Sequence, residues 1–516
     1  MTRRRITGEH MIVDPQTDTI ALLSKGLAPQ GQAQTIATHA SLIFLGTDRV
    51  WKLKRAVLFP YLDYSTPQRR LAACESELSL NRRTAPELYL GVRHVTRNAD
   101  GNLTLDGEGE LVDAFVEMRR FDEKDLLDRM AQDGRLTCGH MDALARRIAT
   151  FHASAEVFNN RGGAAGIARV IAMNDEALRT TGLVADKMAS ELAAAMRVRL
   201  DAFQTLLDAR RAAGKVRRCH GDMILRNIYL AEGQPTLFDC IEFDEEIATI
   251  DVLYDLAFLL MDLWHRDRRD LANVLMNRYL DEAEETEGLG LLPFFMAIRA
   301  TIRAHVTAAQ IDRSLADGAD ALRDEALRYF ELARFLLAPS SVSLVAVGGL
   351  SGSGKSTLAA GLAPGIGAPP GARHLNSDRI RKRLYGVRPE QTLPQDAYQP
   401  TVSARVYALM HEEAARVLAS GWSVILDAVY DRADERAKAA HVAAGAQAQF
   451  HGYWLQAATD LRLARVSARP KGPSDATPEI ARKQENAACG DMEWTRLDAA
   501  RSTEELSEVI RLDATT

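Results

Sequence analysis

Apolar positions along the first 120 residues change period several times, and each change predicts an element. Residues 18–27 carry them at helical spacing, so a short amphipathic helix is predicted there. Ala40–Leu45 and Arg49–Lys54 read as strands on either side of Gly46-Thr47-Asp48, a hairpin turn signal. In the second strand, a period of two puts Lys52 and Lys54 on one face and Trp51 and Leu53 on the other. A helix over Gln68–Arg83 follows, with Glu75 and Glu77 on opposite faces, and Leu111–Glu117 is apolar and strand-like. From Asp142 to Leu337 the signal is helical, broken by His220–Phe243. Pro339-Ser340-Ser341 ends the last of these helices and makes a natural linker. Beyond it come short apolar strands over Ser343–Val347, His374–Asp378 and Ser423–Asp427, with helices over Arg379–Leu384 and Ala404–Ala419 between them. That alternation predicts an α/β unit with a parallel sheet.

The strand Ser343–Val347 runs directly into Gly-Gly-Leu-Ser-Gly-Ser-Gly-Lys-Ser-Thr. Gly349, Gly354, Lys355 and Ser356 fill the spacing G-x-x-x-x-G-K-[ST]. Glycines let the backbone curl so that its N–H groups meet phosphate oxygens, and the following helix N-terminus adds its positive end. The candidate nucleotide-binding set is therefore Gly349, Ser351, Gly352, Ser353, Gly354, Lys355, Ser356 and Thr357. Lys355 would reach the β/γ-phosphates and the Ser356 hydroxyl would hold Mg²⁺. The ligand implied is ATP or another nucleoside triphosphate.

A second phosphate-chemistry signature of different design lies upstream. Residues 219–230 read Cys-His-Gly-Asp-Met-Ile-Leu-Arg-Asn-Ile-Tyr-Leu, followed by Leu237-Phe238-Asp239. Asp222 and Asn227 on one tight loop can divide the work of phosphoryl transfer: the carboxylate accepts the acceptor's hydroxyl proton and the amide oxygen ligates Mg²⁺. Asp239, after a short hairpin, is placed as a second metal ligand. With this set the chain resembles the aminoglycoside-phosphotransferase family, whose H-G-D-x-x-x-x-N…D pattern it reproduces. The resemblance implies an α+β protein-kinase-like fold and assigns one lysine of the Arg49–Lys54 strand to the nucleotide phosphates; Lys52 is favoured over Lys54. It pairs that lysine with a glutamate of the next helix, Glu77 rather than Glu75. Glu117-Met118-Arg119 then falls between the lobes, where the backbone of Glu117 and Met118 would meet adenine. Asp251 and Asp255, at i,i+4 on one helix face, take the place of a pair that braces the catalytic loop, while His152 reads as a buried helix contact. Thr38-His39-Ala40-Ser41 contains no G-x-G, so any phosphate cover must come from Ser41 or from backbone N–H groups.

In the second unit, Asp378 closes a short strand at the carboxyl edge of the sheet, with Arg381 one helical turn on. This S-D-x-I-R arrangement resembles P-loop kinases that include polynucleotide kinases and zeta toxins. The resemblance implies that Asp378 is the base and Arg381 an anion clamp. Asp427, ending a buried strand, has the geometry of a carboxylate that holds the Mg²⁺ shell. Arg462, Arg465 and Arg469 fall on one helix face before Pro470-Lys471-Gly472-Pro473-Ser474-Asp475, a Pro/Gly-rich stretch that reads as a mobile lid carrying Arg465 and Arg469 onto the transferred phosphoryl group.

Composition narrows the function classes. The chain has 516 residues and a net charge of −6, with 21 basic against 20 acidic residues in 341–516 and 43 against 50 before it. Neither part is the strongly basic surface of a nucleic-acid binder, although Arg379, Arg381, Lys382 and Arg383 leave short oligonucleotides open. Five scattered cysteines lack zinc or disulfide spacing, no signal peptide is visible, and Leu256–Leu263 is too short to span a bilayer. A cytoplasmic protein is expected. The predicted organisation is a phosphotransferase-like kinase domain over 1–340, with a small lobe at about 30–117 and a large lobe at about 118–337, then a P-loop kinase domain over 341–516. The pair resembles a bacterial family of fused phosphotransferase-like, ATP-binding proteins. It implies a bifunctional ATP-dependent phosphotransferase acting on hydroxyl groups of small molecules at two Mg·ATP sites. The alternative is a P-loop kinase, acting on nucleic-acid 5′-ends or another acceptor, gated by a ligand-sensing N-terminal pseudokinase.

Overall fold

The computed structural model describes residues 12–27, 34–38, 40–59, 62–311, 316–468, 472–484 and 489–513. The chain forms two compact units, one of Met1–Ile167 with Leu207–Leu259 and one of Ala168–Leu206 with Leu260–Thr516. This division does not follow the Pro339-Ser340-Ser341 linker.

In the first unit, helix α1 (Thr17–Leu27) precedes an antiparallel sheet of β1 (Gln34–Ala37), β2 (Ser41–Leu45), β3 (Arg49–Lys54), β4 (Tyr89–Arg97), β5 (Leu103–Leu105) and β6 (Glu110–Arg119), in the order β1-β2-β3-β6-β4-β5. Trp51 and Leu53 bury against Leu23, Phe44 and Phe115 on one face. The opposite face of β3 carries Lys52 and Lys54. Helix α2 (Pro67–Asn81) starts because Thr66 caps it, accepting the Arg69 N–H, and because Pro67 fits a first-turn position that needs no N–H donor. Its Cys74 packs with Leu88, Tyr89, Ala114, Val116 and Met118. Further on come α3 (Cys138–Ser154), β7 (Val216–Arg218), the hairpin β8 (Ile228–Ala231) and β9 (Gln234–Leu237), and β10 (Thr249–Asp251), which pairs with β7. Helix α4 (Val252–His265) follows directly.

In the second unit, α5 (Arg269–Ala283), α6 (Leu292–Ala308) and α7 (Ala316–Leu336) precede the P-loop sheet. The window Leu289–Ala308 is long and apolar enough to cross a membrane by composition, but 67% of it is buried, as in a core helix. The sheet comprises β11 (Ser343–Gly349), β12 (Arg373–Asn376), β13 (Val424–Asp427), β14 (Gln449–Gln456) and β15 (Thr495–Asp498) in the all-parallel order β12-β13-β11-β14-β15. Val345, Val347, Ile425, Tyr453 and Leu455 bury against α8 (Lys355–Leu362), with Leu358 and Leu362 facing them. Register sets Val347 and Asn376 beside Asp427, so the phosphate loop, the β12 end and the β13 carboxylate share one sheet edge.

Candidate active sites

In the first unit, β3 presents its two lysines to the helix carrying Glu77. The Lys52 ammonium bonds Glu77 Oε1 at 2.7 Å and Asp239 Oδ1 at 2.6 Å. Lys54, almost fully buried, is held between Glu77 and Glu242. Glu75 lies on the exposed side of α2. Burial would weaken the Lys52 charge, but Asp239 and then Glu77 hold its proton affinity well above the usual lysine range. Burial likewise pushes the Asp239 carboxyl up, and the Lys52 ammonium overrides it, holding the group at about 2. Asp239 sits at φ 62°, a left-handed conformation rare outside glycine, and its N–H donates to the Tyr89 hydroxyl at 3.1 Å.

The loop before it is braced from beneath. Asp255 on α4 accepts the His220 N–H at 3.0 Å and the Gly221 N–H at 2.9 Å, and His152 Nε2 lies 3.1 Å from the same carboxylate. Asp251 binds Arg210 through both oxygens, at 2.7 and 2.9 Å. Asn227 Nδ2 donates to Asp222 O and Oδ2, each at 2.8 Å, which turns the amide oxygen away from Asp222. The second oxygen of Asp239 accepts no hydrogen bond from the described residues, and that side chain is 42% exposed. An oxygen-only set of this kind suits Mg²⁺.

Other expected contacts fall differently. Glu117 and Met118 lie inside β6, paired with β3 and β4 on its two sides. The Glu117 carboxylate accepts from Trp51 Nε1 at 3.1 Å, and Met118 is buried in the α2 core. Ser41 is buried at the start of β2, where its N–H donates to Thr38 Oγ1. His39 lies outside the described residues.

In the second unit, Gly349 and Gly352 have φ of 149° and 84°. A Cβ at Gly349 would sit 2.5 Å from Ser353 Oγ, and one at Gly352 would sit 2.5 Å from Arg462 O, so the loop's curl needs glycine at both. The Lys355 charge acts on both Asp378 and Asp427. Asp427 is fully buried: His374 Nε2 at 3.2 Å and Asn376 Nδ2 at 2.5 Å converge on its Oδ2, while Oδ1 has no hydrogen-bond partner among the described residues. Asn376 Nδ2 also lies 3.4 Å from Ser356 Oγ. A buried, unpaired carboxylate oxygen beside a phosphate-loop serine is costly unless a cation and its waters meet it, so these residues fit Mg²⁺.

Asp378 lies in helix α9 (Ser377–Leu384), but the cap is Asn376, which accepts the Arg379 N–H at 3.0 Å. Asp378 is thereby free of the capping role. Burial raises its proton affinity against the opposing Lys355 charge and a hydrogen bond from Ser474. Arg381 is near enough to influence Asp378, yet its guanidinium is otherwise engaged. Nη1 donates to Ala397 O at 2.6 Å, Nη2 to Ser403 Oγ at 3.4 Å, and Tyr398 stacks on it at 4.9 Å. It pins the 395–403 segment instead of presenting an open anion clamp.

The arginine face of helix α10 (Thr459–Ala468) is also engaged. Buried Arg462 donates to Ala481 O at 3.1 Å, and Arg465 donates to Ser353 O at 3.1 Å and Ala499 O at 2.9 Å. Arg469, with Pro470 and Lys471, lies outside the described residues. The following Asp475 accepts from Lys382 at 2.6 Å, the Tyr398 hydroxyl at 2.5 Å and the Leu393 N–H at 3.0 Å. The segment expected to be a mobile lid is clipped down at this point.

Comparison with known proteins places both halves. The Phosphotransferase enzyme family profile matches residues 63–290 and that of an AAA domain matches residues 344–489. An uncharacterized protein of Mycobacterium tuberculosis is 32% identical over 456 residues, covering 86% of this chain and 88% of its own. The chain belongs to this family of fused phosphotransferase and P-loop proteins. Among solved structures, a choline/ethanolamine kinase family protein from Mesorhizobium loti is 16% identical with a TM-score of 0.39, covering 61% of this chain and 94% of its own. The APS kinase of M. tuberculosis is 20% identical with a TM-score of 0.25, covering 35% of this chain and 100% of its own. The family member described here is a kinase: a phosphotransferase-type fold precedes a P-loop domain, and both domain types imply ATP as phosphoryl donor.

Sequence reasoning did not name several residues that shape these sites. Glu242, three positions after Asp239, closes the Lys54 pair. His374 and Asn376 hold Asp427, Ser474 reaches Asp378, and Gln484 Oε1 accepts the Ser351 N–H at 2.8 Å. A signal existed for Asn376, a polar residue that ends its strand two positions before Asp378, and a weaker one for Glu242 and His374, which lie three and four positions from Asp239 and Asp378. Ser474 and Gln484 carried none.

Proposed function

We propose that the protein is a bifunctional phosphotransferase that moves the γ-phosphate of ATP to hydroxyl groups of small-molecule acceptors at two Mg·ATP sites. One observation carries the reading: each compact unit holds its own lysine set among aspartates, Lys52 with Asp239 in one and Lys355 with Asp378 and Asp427 in the other. In the first site Lys52, steadied by Glu77, holds the nucleotide phosphates. Asp222 takes the acceptor's hydroxyl proton, and Asn227 and Asp239 are the metal ligands. In the second, the Gly349–Thr357 loop cradles the phosphates, Asp378 takes the proton, and Ser356 and Asp427 hold the metal shell. Bound Mg²⁺ would neutralise charge on the phosphates being transferred.

Small acceptors fit better than nucleic acid at the second site. Arg379 pairs with Asp281, Lys382 with Asp475 and Arg383 with Glu413, and Arg381 is pinned as described, so the basic run offers no open phosphate track. The test is a metabolite-extract screen for ATP-dependent mass gain, run on the wild type, Asp222→Asn and Asp378→Asn. Two products, each lost with one aspartate, are expected. Mass gain that survives in both single variants and in the double variant would overturn the proposal.

A further inference from the structure

We propose that Asn277 and His374 are positioning residues of the C-terminal site: helix α5 fixes strand β12, and His374 on that strand orients the Asp427 carboxylate. The inference rests on reading Asp427 as the metal-side carboxylate.

Strand β12 is an edge of the parallel sheet, and the backbone groups of an edge need cover. Helix α5 supplies it from three positions spaced four apart, Asn273, Asn277 and Asp281, which share one helix face. Asn277 Oδ1 accepts the His374 N–H at 2.8 Å, and its Nδ2 donates to Ala372 O at 3.2 Å. Asn273 Nδ2 donates to Pro370 O at 3.2 Å and Ala372 O at 3.1 Å. Arg373, itself buried, donates to Asp281 Oδ1 at 2.6 Å, to Glu413 Oε1 at 2.8 Å and to Asn277 O at 3.1 Å. Asn273 and Asn277 are both buried, so their contacts are shielded from bulk water.

Side chains alternate along a strand, so the residue after Arg373 turns to the other face. His374 Nε2 lies 3.2 Å from Asp427 Oδ2. A carboxylate only accepts, so that nitrogen carries the proton. Asn376, two positions on, donates to the same oxygen. With both donors on Oδ2, the carboxylate is fixed in rotation and its unpartnered Oδ1 is the oxygen left to meet the metal shell. Helix α5 lies inside the segment matched by the phosphotransferase family, whereas Asp427 lies inside the AAA match. A helix of the first match thus sets a carboxylate of the second.

The experiment uses full-length protein with the N-terminal site silenced by Lys52→Ala and Asp239→Ala. Mn²⁺ binding is titrated by electron paramagnetic resonance with a non-hydrolysable ATP analogue present. The metal-free analogue is titrated separately, and thermal melting checks the fold. His374→Leu is expected to weaken Mn²⁺ about 10–100-fold, the usual cost of losing an outer-shell partner, with metal-free analogue binding unchanged. His374→Gln, whose amide Nε2 replaces the ring donor, should restore most of that loss. Asn277→Leu should weaken Mn²⁺ in the same direction, and Asn277→Asp, which keeps the acceptor for the His374 N–H, should lose less. Parental Mn²⁺ affinity in His374→Leu overturns the proposal, as does equal loss of metal-free analogue binding. If the parent shows no Lys355-dependent Mn²⁺ site at all, the metal-site reading itself falls and this inference with it.

Discussion

At the N-terminal site the candidate phosphate-binding lysine already sits among carboxylates: Lys52 touches Glu77 and Asp239, and Lys54 beside it touches Glu77 and Glu242. At the C-terminal site Lys355 belongs to a glycine loop at a helix N-terminus, and the neighbouring Asp427 is held by the side chains of His374 and Asn376. The first site is a balanced charge cluster whose geometry comes from ion pairs. The second is a backbone cradle with its carboxylate fixed by hydrogen bonds. Equivalent substitutions should therefore act differently in the two places.

The widest separation comes from the proton acceptors. Asp222→Asn and Asp378→Asn should each lower transfer at their own site by about 10²–10⁴-fold, the usual worth of a positioned base, and leave the other site's product untouched. Quantifying both products by mass spectrometry decides it. A single variant that abolishes both products would collapse the comparison to one working site.

The lysines come next. Lys54 is buried with two carboxylates, so Lys54→Met leaves Glu242 without its cation and Glu77 with Lys52 alone, and should cost about 3–5 kcal/mol of stability. Lys355→Met removes a charge from the partly exposed start of α8, so its stability cost should stay within about 0.5 kcal/mol while nucleotide affinity at that site is lost. Paired denaturant unfolding and nucleotide titration test this contrast. Equal destabilisation by the two variants would refute the distinction between a charge cluster and a backbone cradle.

Acid should also separate the sites. Burial raises the proton affinity of Asp378, so the carboxylate that must accept a proton forms only above the ordinary aspartate range, about 3.9. C-terminal transfer should fall tenfold per pH unit once the pH drops below that raised value. Asp239 is held at about 2 by Lys52, with burial opposing, so it stays ionised and adds no acid limb of its own to the N-terminal site. Single-turnover rates between pH 4 and 8, each with the other site silenced, provide the check. A C-terminal acid limb at or below the ordinary aspartate value contradicts the assignment of Asp378.

Local features of both sites were legible in the sequence, and the tertiary ones were not. The phosphate loop was readable because its whole chemistry lies in ten consecutive residues. The face of Lys52 and Lys54 followed from strand alternation. Asp251 and Asp255 were expected to brace the loop as a pair on one helix face, but Asp251 ends β10 and binds Arg210, so of the two it is Asp255 that holds the loop. Arg381 shows the limit: one turn after Asp378 it was expected to face the phosphate, yet its guanidinium reaches Ala397 O and Ser403, whose approach depends on the path of another segment. Arg465 was placed correctly on its helix, but its partners Ser353 O and Ala499 O come from opposite ends of the domain sequence. The asparagines of α5 carried no signal, because polar residues at helical spacing look like a solvated face until β12 is set against them.

The smallest effect tests whether the N-terminal cluster depends on its helix as argued. Thr66 caps α2 by accepting the Arg69 N–H at 3.3 Å, and α2 carries Glu77 into contact with both lysines. Thr66→Ala should cost about 1 kcal/mol, the typical worth of an N-cap side chain. Fraying of the first turn would let Glu77, three turns further on, shift only slightly, so the KM for ATP at the N-terminal site should rise less than about fivefold, the equivalent of that 1 kcal/mol. The C-terminal site, whose lysine leans on no helix glutamate, should keep its KM unchanged. A Thr66→Ala variant that loses the expected stability while both sites keep their wild-type KM would show that Glu77 is held by its buried lysines alone, with the helix start contributing nothing to the site.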